Sequence, residues 1–201
     1  MKIVIVDFGA PSVKKIVSFL KSKKIKTIIF NPCKNEIIPE CSGIILSGGP
    51  DSVCKKNYLK LKNENNNILL DDPRIPTLGI CYGAQLLCKY NGGRVKKCNL
   101  RECFENIKVD RRHKLYKGLD SNKINVKFRH SDYILKVPKE FTITSYGYNK
   151  NQKIIYSFYN KEKNIYGVQY HPEIINKELK EYHGGIILNN FLDICFKNCL
   201  N

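Results

Sequence analysis

The chain has no apolar run approaching the roughly 18 residues needed to span a membrane. The apolar stretch at its N-terminus, Ile3 to Val6, is too short for the core of a signal peptide and goes straight into a strand pattern. A cytoplasmic protein with no membrane partner is therefore expected. A disulfide framework is also missing. The nine cysteines are odd in number and scattered, which reads as reduced thiols. Cys98/Cys103 and Cys195/Cys199 lack C-x-x-C spacing, so no metal site is expected. Acidic residues are scarce, 18 against 35 lysines and arginines, which leaves a net charge of +17. Such an excess suits a nucleic-acid or acidic-partner surface. Here, however, the lysines are spread along the whole chain, and no Arg/aromatic cluster or nucleic-acid motif accompanies them. They read as the general surface of a Lys/Asn/Ile-rich composition, with no nucleic acid as partner and a docking role for part of the charge left open. Neither an internal repeat nor a linker divides the chain, so residues 1–201 are expected to form a single domain.

What is present is an alternation of strand and helix patterns. Lys2 to Asp7 is a compact strand ending at Phe8-Gly9. Ser12 to Lys23 sets Val13, Ile16, Val17 and Leu20 on one helical face and lysines on the other. Strand patterns recur at Lys26 to Phe30 and Gly43 to Leu46, joined by a polar, proline-containing connection over 31–40. Asn57 to Leu70 is helical in part, with a break at Asn63 to Asn67, and Thr77 to Ile80 is the next strand. This order predicts an α/β fold with an open, mostly parallel sheet flanked by helices. After Gly93 the texture changes. Arg94 to Lys97, Asn106 to Val109, Asn125 to Arg129, Phe141 to Tyr146, Lys153 to Phe158 and Asn164 to Gln169 are short and β-rich. They read as antiparallel strands added to the parallel core in the C-terminal half. A last helix is expected from Gly185 to Lys197.

The sharpest local signal is Gly79-Ile80-Cys81-Tyr82-Gly83. An apolar strand stops there and a helical pattern starts at once, with Leu86, Leu87 and Tyr90 on one face. A cysteine at a strand-to-helix junction, with a glycine two residues away on each side, has the layout of a nucleophile elbow. The glycines permit the close passage of strand and helix. The turn presents Cys81 at the C-terminal edge of a sheet and at a helix N-terminus, where the dipole favours negative charge. A plain buried cysteine would give the same local pattern.

Two further segments give that cysteine a chemistry. Tyr166 to Glu173 reads Y-G-V-Q-Y-H-P-E, a strand that ends by presenting His171, with Glu173 two residues on. A cysteine nucleophile needs a base, and the base needs a carboxylate to hold its tautomer; His171 and Glu173 supply both. Leu46 to Asp51 reads L-S-G-G-P-D after a buried strand. The backbone N–H groups of Gly49 and Tyr82 would make a two-donor oxyanion hole. Ser47 to Ser52 also fits the S-G-G-x-D-S loop of ATP pyrophosphatases. That loop usually follows the first strand of its domain and opens a helix, whereas here a strand, a helix and a strand precede it. Phe128 to Asp132, F-R-H-S-D, follows a short strand and reads by itself as a polar loop.

Together these residues resemble the class I (triad) glutamine amidotransferases over nearly the whole chain. The resemblance is carried by I-V-D-F-G, I-L-S-G-G-P, G-I-C-Y-G-A-Q, G-V-Q-Y-H-P-E and the L-N-N-F-L of the last helix. Tyrosine after the cysteine is most similar to the branch that serves GMP synthetases. The resemblance implies a flavodoxin-like fold, with Cys81 as nucleophile, His171 as base, Glu173 as its orienter, and Gly49 and Tyr82 as oxyanion donors. It further implies Gln85, His130 and Asp132 as contacts for the substrate glutamine, with Asp132 facing the ammonium group. The implied function is a glutaminase that supplies ammonia to a synthetase partner, for conversion of XMP to GMP. The chain itself would need no cofactor; ATP and Mg would act on the XMP-adenylating partner, to which the chain is joined as a separate subunit or from which it is excised. An amidotransferase of the anthranilate type, a γ-glutamyl hydrolase and a regulatory binding module are the alternatives. Four departures from the family pattern are Ala10-Pro11, Arg129 before H-x-D, Phe104 in a usual R-E-F-G, and Ile174 to Lys177 after H-P-E.

Overall fold

A computed structural model describes residues 1–32, 38–56, 72–179 and 182–198. The partly helical stretch expected over 57–70 lies outside the described residues, as does part of the connection 31–40. The first strand, β1 (Lys2–Val6), pairs in parallel with β2 (Lys26–Phe30) on one side and β3 (Gly43–Leu46) on the other. β4 (Thr77–Ile80) and β9 (Ile165–Val168) extend the parallel half. The order continues through β8 (Gln152–Asn160), β6 (Lys123–Lys136) and β5 (Arg94–Lys108), all antiparallel, and β7 (Thr142–Asn149) pairs with β8. The sheet is mixed, with the parallel strands first and the antiparallel ones in the C-terminal half.

β1, β3, β4 and β9 are almost wholly buried because both faces are covered, whereas β2, at the edge of the sheet, exposes Lys26 and Ile29. On β1, Ile3 and Ile5 join a cluster with Val13, Ile16 and Leu20 of helix α1 (Val13–Ser22), and with Ile187, Leu188 and Phe191 of helix α3 (His183–Asn198). Val4 and Val6 point the other way, to Ile44, Leu46, Leu86 and Leu87, the last two from helix α2 (Tyr82–Tyr90). Each such side chain fully removed from water contributes roughly 1.5–3 kcal/mol. No described helix is long and apolar enough to cross a membrane.

Two expectations change. Arg94–Lys97 and Asn106–Val109 are not separate short strands: one strand, β5, runs through both, with register shifts at Arg94/Val95 and between Lys97 and Arg101. Its middle is polar because it lies at the end of the sheet, where its inward residues Cys98, Arg101, Cys103 and Glu105 are only half-buried. The F-R-H-S-D segment is not a loop after a strand but part of β6. Phe128, His130 and Asp132 alternate on its buried face, while Arg129 and Ser131 face out. Beyond Lys108 the chain turns to β7, where the Asp110 N–H donates to the Thr144 carbonyl (2.8 Å) and the Ser145 hydroxyl to the Lys108 carbonyl (2.6 Å).

Candidate active site

Cys81 caps the N-terminus of α2 with φ 51° and ψ −104°, a left-handed backbone that costs a non-glycine residue roughly 1–3 kcal/mol. Two neighbouring strand ends hold it there. The Cys81 N–H donates to the Val168 carbonyl of β9 (2.8 Å), and the Gly83 N–H to the Ser47 carbonyl just after β3 (3.1 Å). The Cys81 carbonyl accepts the Gln85 N–H (3.0 Å) and begins the helix. The flanking glycines are needed for contact. A Cβ on Gly79 would lie 2.6 Å from the Ala84 nitrogen, and one on Gly83 would press on the Leu46 carbonyl.

His171 follows β9 and is tied to β6 by its N–H, which donates to the Lys127 carbonyl (2.8 Å). Its Nδ1 donates to Glu173 Oε1 at 2.8 Å, both side chains being buried. Burial alone would depress the imidazole. The Glu173 carboxylate and the hydrogen bond with Cys81 outweigh it and hold His171 well above the usual histidine range. The loop after β3 brings the two halves together: a Cβ on Gly48 would lie 3.0 Å from His171 Cε1 and 3.7 Å from Cys81 Cβ. Gly49 lies beside Tyr82, whose Cδ1 would be 3.4 Å from a Cβ there. The Ser47 hydroxyl fixes this loop, accepting the Phe8 N–H (2.9 Å) and donating to the Gly48 carbonyl (2.7 Å).

The β6 residues complete the site. Asp132 Oδ2 accepts from the Ser52 hydroxyl at 2.6 Å, while Oδ1 is buried with no partner among the described residues. The His130 imidazole is pushed down to about 4 by burial, helped by the Arg101 and His171 cations, so it is neutral near pH 7. Its Nδ1 lies 3.9 Å from the Cys98 sulfur. Gln85 is buried, and its amide nitrogen donates to the Asp132 carbonyl (2.8 Å) and to Gln169 Oε1 (3.3 Å). Every sequence-predicted residue thus lies on one of the elements that meet at the C-terminal ends of β3, β4 and β9. Sequence reasoning misses Gln169 and Ser52. Gln169 lies in the bend that follows β9, and no local pattern marks it. Ser52 stands inside the glycine motif but reads there as part of a turn.

Three of the residues that depart from the family pattern, Arg129, Phe104 and Ala10, have clear places in the structure. The Arg129 side chain is outside, 3.6 Å from Glu102, while its carbonyl accepts from the Cys81 sulfur at 3.5 Å. Phe104 is on the surface beneath the Lys127 ammonium. Ala10 sits beside the glycine loop, its Cβ 3.5 Å from where a Gly48 Cβ would be. Among the described residues no three His, Cys, Asp or Glu side chains are gathered as a metal site, and no disulfide joins the described cysteines.

Residues 4–193 match the family profile described as glutamine amidotransferase class-I. The chain belongs to that family. The amidotransferase is 35% identical over 196 residues to the glutamine-hydrolysing GMP synthase of Petrotoga mobilis, covering 96% of the chain and 36% of that relative. It is 37% identical over 150 residues to the GMP synthase of Staphylococcus aureus strain JH9, covering 75% and 27%. The amidotransferase therefore spans only 36% and 27% of the length of these relatives. Among solved structures, a GMP synthase subunit protein from Thermoplasma acidophilum superposes with a TM-score of 0.75 at 26% identity, covering 98% and 94% of the two chains. A glutamine amidotransferase from Thermotoga maritima, 18% identical, shares the fold with a TM-score of 0.70, covering 100% and 86%.

Proposed function

We propose that the amidotransferase hydrolyses glutamine through Cys81, His171 and Glu173, in the cytoplasm, and passes the ammonia to an ATP-dependent synthetase partner that adenylates XMP on the way to GMP. The observation that carries this reading is the convergence at Gly48 of a strained elbow cysteine and a buried histidine–carboxylate pair.

His171 takes the thiol proton, and its charge is held by Glu173. The Cys81 sulfur then attacks the side-chain amide carbon of glutamine. The N–H groups of Gly49 and Tyr82 stabilise the tetrahedral oxyanion. His171 returns the proton to the leaving nitrogen, so ammonia departs and a γ-glutamyl thioester remains. Water, deprotonated by the same imidazole, releases glutamate and restores the thiol. The buried Oδ1 of Asp132, unpartnered among the described residues, is an acceptor for the glutamine ammonium, with Ser52 holding the other oxygen. ATP and Mg would act on the partner. The GMP branch is favoured by the names of the relatives and by Tyr82 after the nucleophile.

The test is co-purification from the source cell, followed by glutamate release measured with and without XMP and ATP. A nucleotide-adenylating partner and XMP-dependent turnover are expected. A chorismate-using partner would overturn the branch, and turnover of γ-glutamyl peptides in preference to glutamine would overturn the substrate. Near-parental glutamate release by Cys81→Ala would sink the mechanism.

A further inference from the structure

Gln169 has no part in that reaction scheme, yet it is fully buried beside the sulfur. Its backbone N–H donates to the Tyr156 carbonyl at 2.7 Å, which fixes the strand end. The orientation of its side-chain amide follows from a chain of contacts. The Asp132 carbonyl can only accept, so Gln85 must present its nitrogen there (2.8 Å). The same nitrogen faces Gln169 at 3.3 Å, so Gln169 must turn its oxygen to Gln85. That leaves the Gln169 nitrogen aimed at the Cys81 sulfur, 3.9 Å away.

The sulfur thus lies between two opposite partners. The Arg129 carbonyl, an acceptor, suits the protonated thiol. An amide N–H suits the anion that remains when the proton has moved to His171. The titratable and charged groups of the same site are His171 with Glu173 behind it, His130 and Asp132 on β6, and Arg101 of β5 near His130.

We propose that Gln169 stabilises the Cys81 thiolate through its amide N–H, with Gln85 as the positioning residue that acts through Gln169. This rests on the acyl-transfer reading of the site and gives Gln85 a second duty beside the substrate contact. The relay runs from the Asp132 carbonyl through two amides to the sulfur. Ordering of Asp132 by a bound glutamine would thereby tighten the donor on the nucleophile.

The test is the rate of Cys81 alkylation by iodoacetamide between pH 5.5 and 9.5, read on the Cys81 peptide by mass spectrometry, in the whole chain. Gln169→Met removes the amide at similar volume. Gln169→Glu still accepts from Gln85 but turns a carboxylate to the sulfur. Alkylation at pH 7 is expected to fall about tenfold in Gln169→Met and further in Gln169→Glu, with the profile displaced to alkaline pH. In glutamate release, kcat should fall while KM stays within about twofold. Gln85→Met, which loosens the relay without touching the sulfur, should displace the profile in the same direction by less. It carries the test if circular dichroism shows both Gln169 variants unfolded. Profiles that superimpose on the parent in folded variants overturn the proposal. The alkylation readout needs no glutamine. A parent that releases no glutamate even with its partner, while the profiles still shift, would sink the acyl-transfer reading and leave the amide–sulfur contact standing.

Discussion

The Cys81 sulfur is hydrogen-bonded to the backbone carbonyl of Arg129 at 3.5 Å. A serine hydroxyl can donate to the same carbonyl from the same backbone. Cys81→Ser should therefore keep its stability within about 1 kcal/mol of the parent by thermal unfolding, because no packing or polar partner is lost. Its glutamate release should fall by roughly 10³-fold or more, since an alkoxide is far harder to form than a thiolate. A large loss of stability would mean that the thiol is a packing group and the carbonyl contact incidental.

Glu173 is what keeps a charged imidazole tolerable at a buried position. Glu173→Gln keeps the shape and removes the charge. The expected result is a fall in kcat of roughly 10²- to 10⁴-fold with a much smaller change in KM, because the group acts on the transition state rather than on substrate binding. Initial rates across a range of glutamine concentrations separate the two parameters.

Gly83 touches β3 so closely that an added Cβ would lie 2.7 Å from the Leu46 Cβ, besides pressing on the Leu46 carbonyl. Neither atom can swing aside, since both belong to a strand paired on each side. Gly83→Ala is expected to destabilise the protein by about 1–3 kcal/mol in urea. Cys81 alkylation should also slow, because the helix that carries the elbow must retreat. Unchanged stability would mean that strand and helix yield there.

His113 lies 4.1 Å, centroid to centroid, from Tyr159, and burial pushes it down to about 4 against the opposing pull of Asp110. His130 is lowered to about 4 as well. For both, the unfolded chain binds protons below about pH 6.5 that the folded chain refuses, so stability falls as pH drops from there toward 4. His171, whose value is raised, acts in the other window: its contribution is complete below about pH 6.5 and fades as pH rises above it. By pH 5, His113 and His130 should each cost on the order of 1–2 kcal/mol relative to pH 7. Denaturant midpoints at the two values measure this, and His113→Phe should shrink the difference by about half. An unaltered difference would place the acid sensitivity elsewhere.

Much of the parallel half was legible, because apolar runs buried on both faces and bounded by turns have few other readings. β1, β2, β3 and β4 are where the pattern put them. The elbow was legible for a different reason: the glycines around Cys81 mark backbone contacts that no side chain could occupy. The antiparallel half was harder. β5 is polar along its middle because it closes the end of the sheet, so its continuity shows only in which residues are half-buried. His130 and Asp132 were hidden by their polarity. A strand that buries a histidine and a carboxylate resembles a loop until the alternation with Phe128 is followed through. Gln169 is a matter of side-chain orientation, which no spacing rule reports.

The strained backbone of Cys81 has an evolutionary corollary. At φ 51° the position is one where glycine would sit without penalty, so the nucleophile occupies the place that the local chain is least suited to give it. Drift toward stability alone would erase the thiol first. A descendant released from the need for ammonia should thus betray its lost chemistry by a glycine between Ile80 and Tyr82, with the rest of the elbow intact.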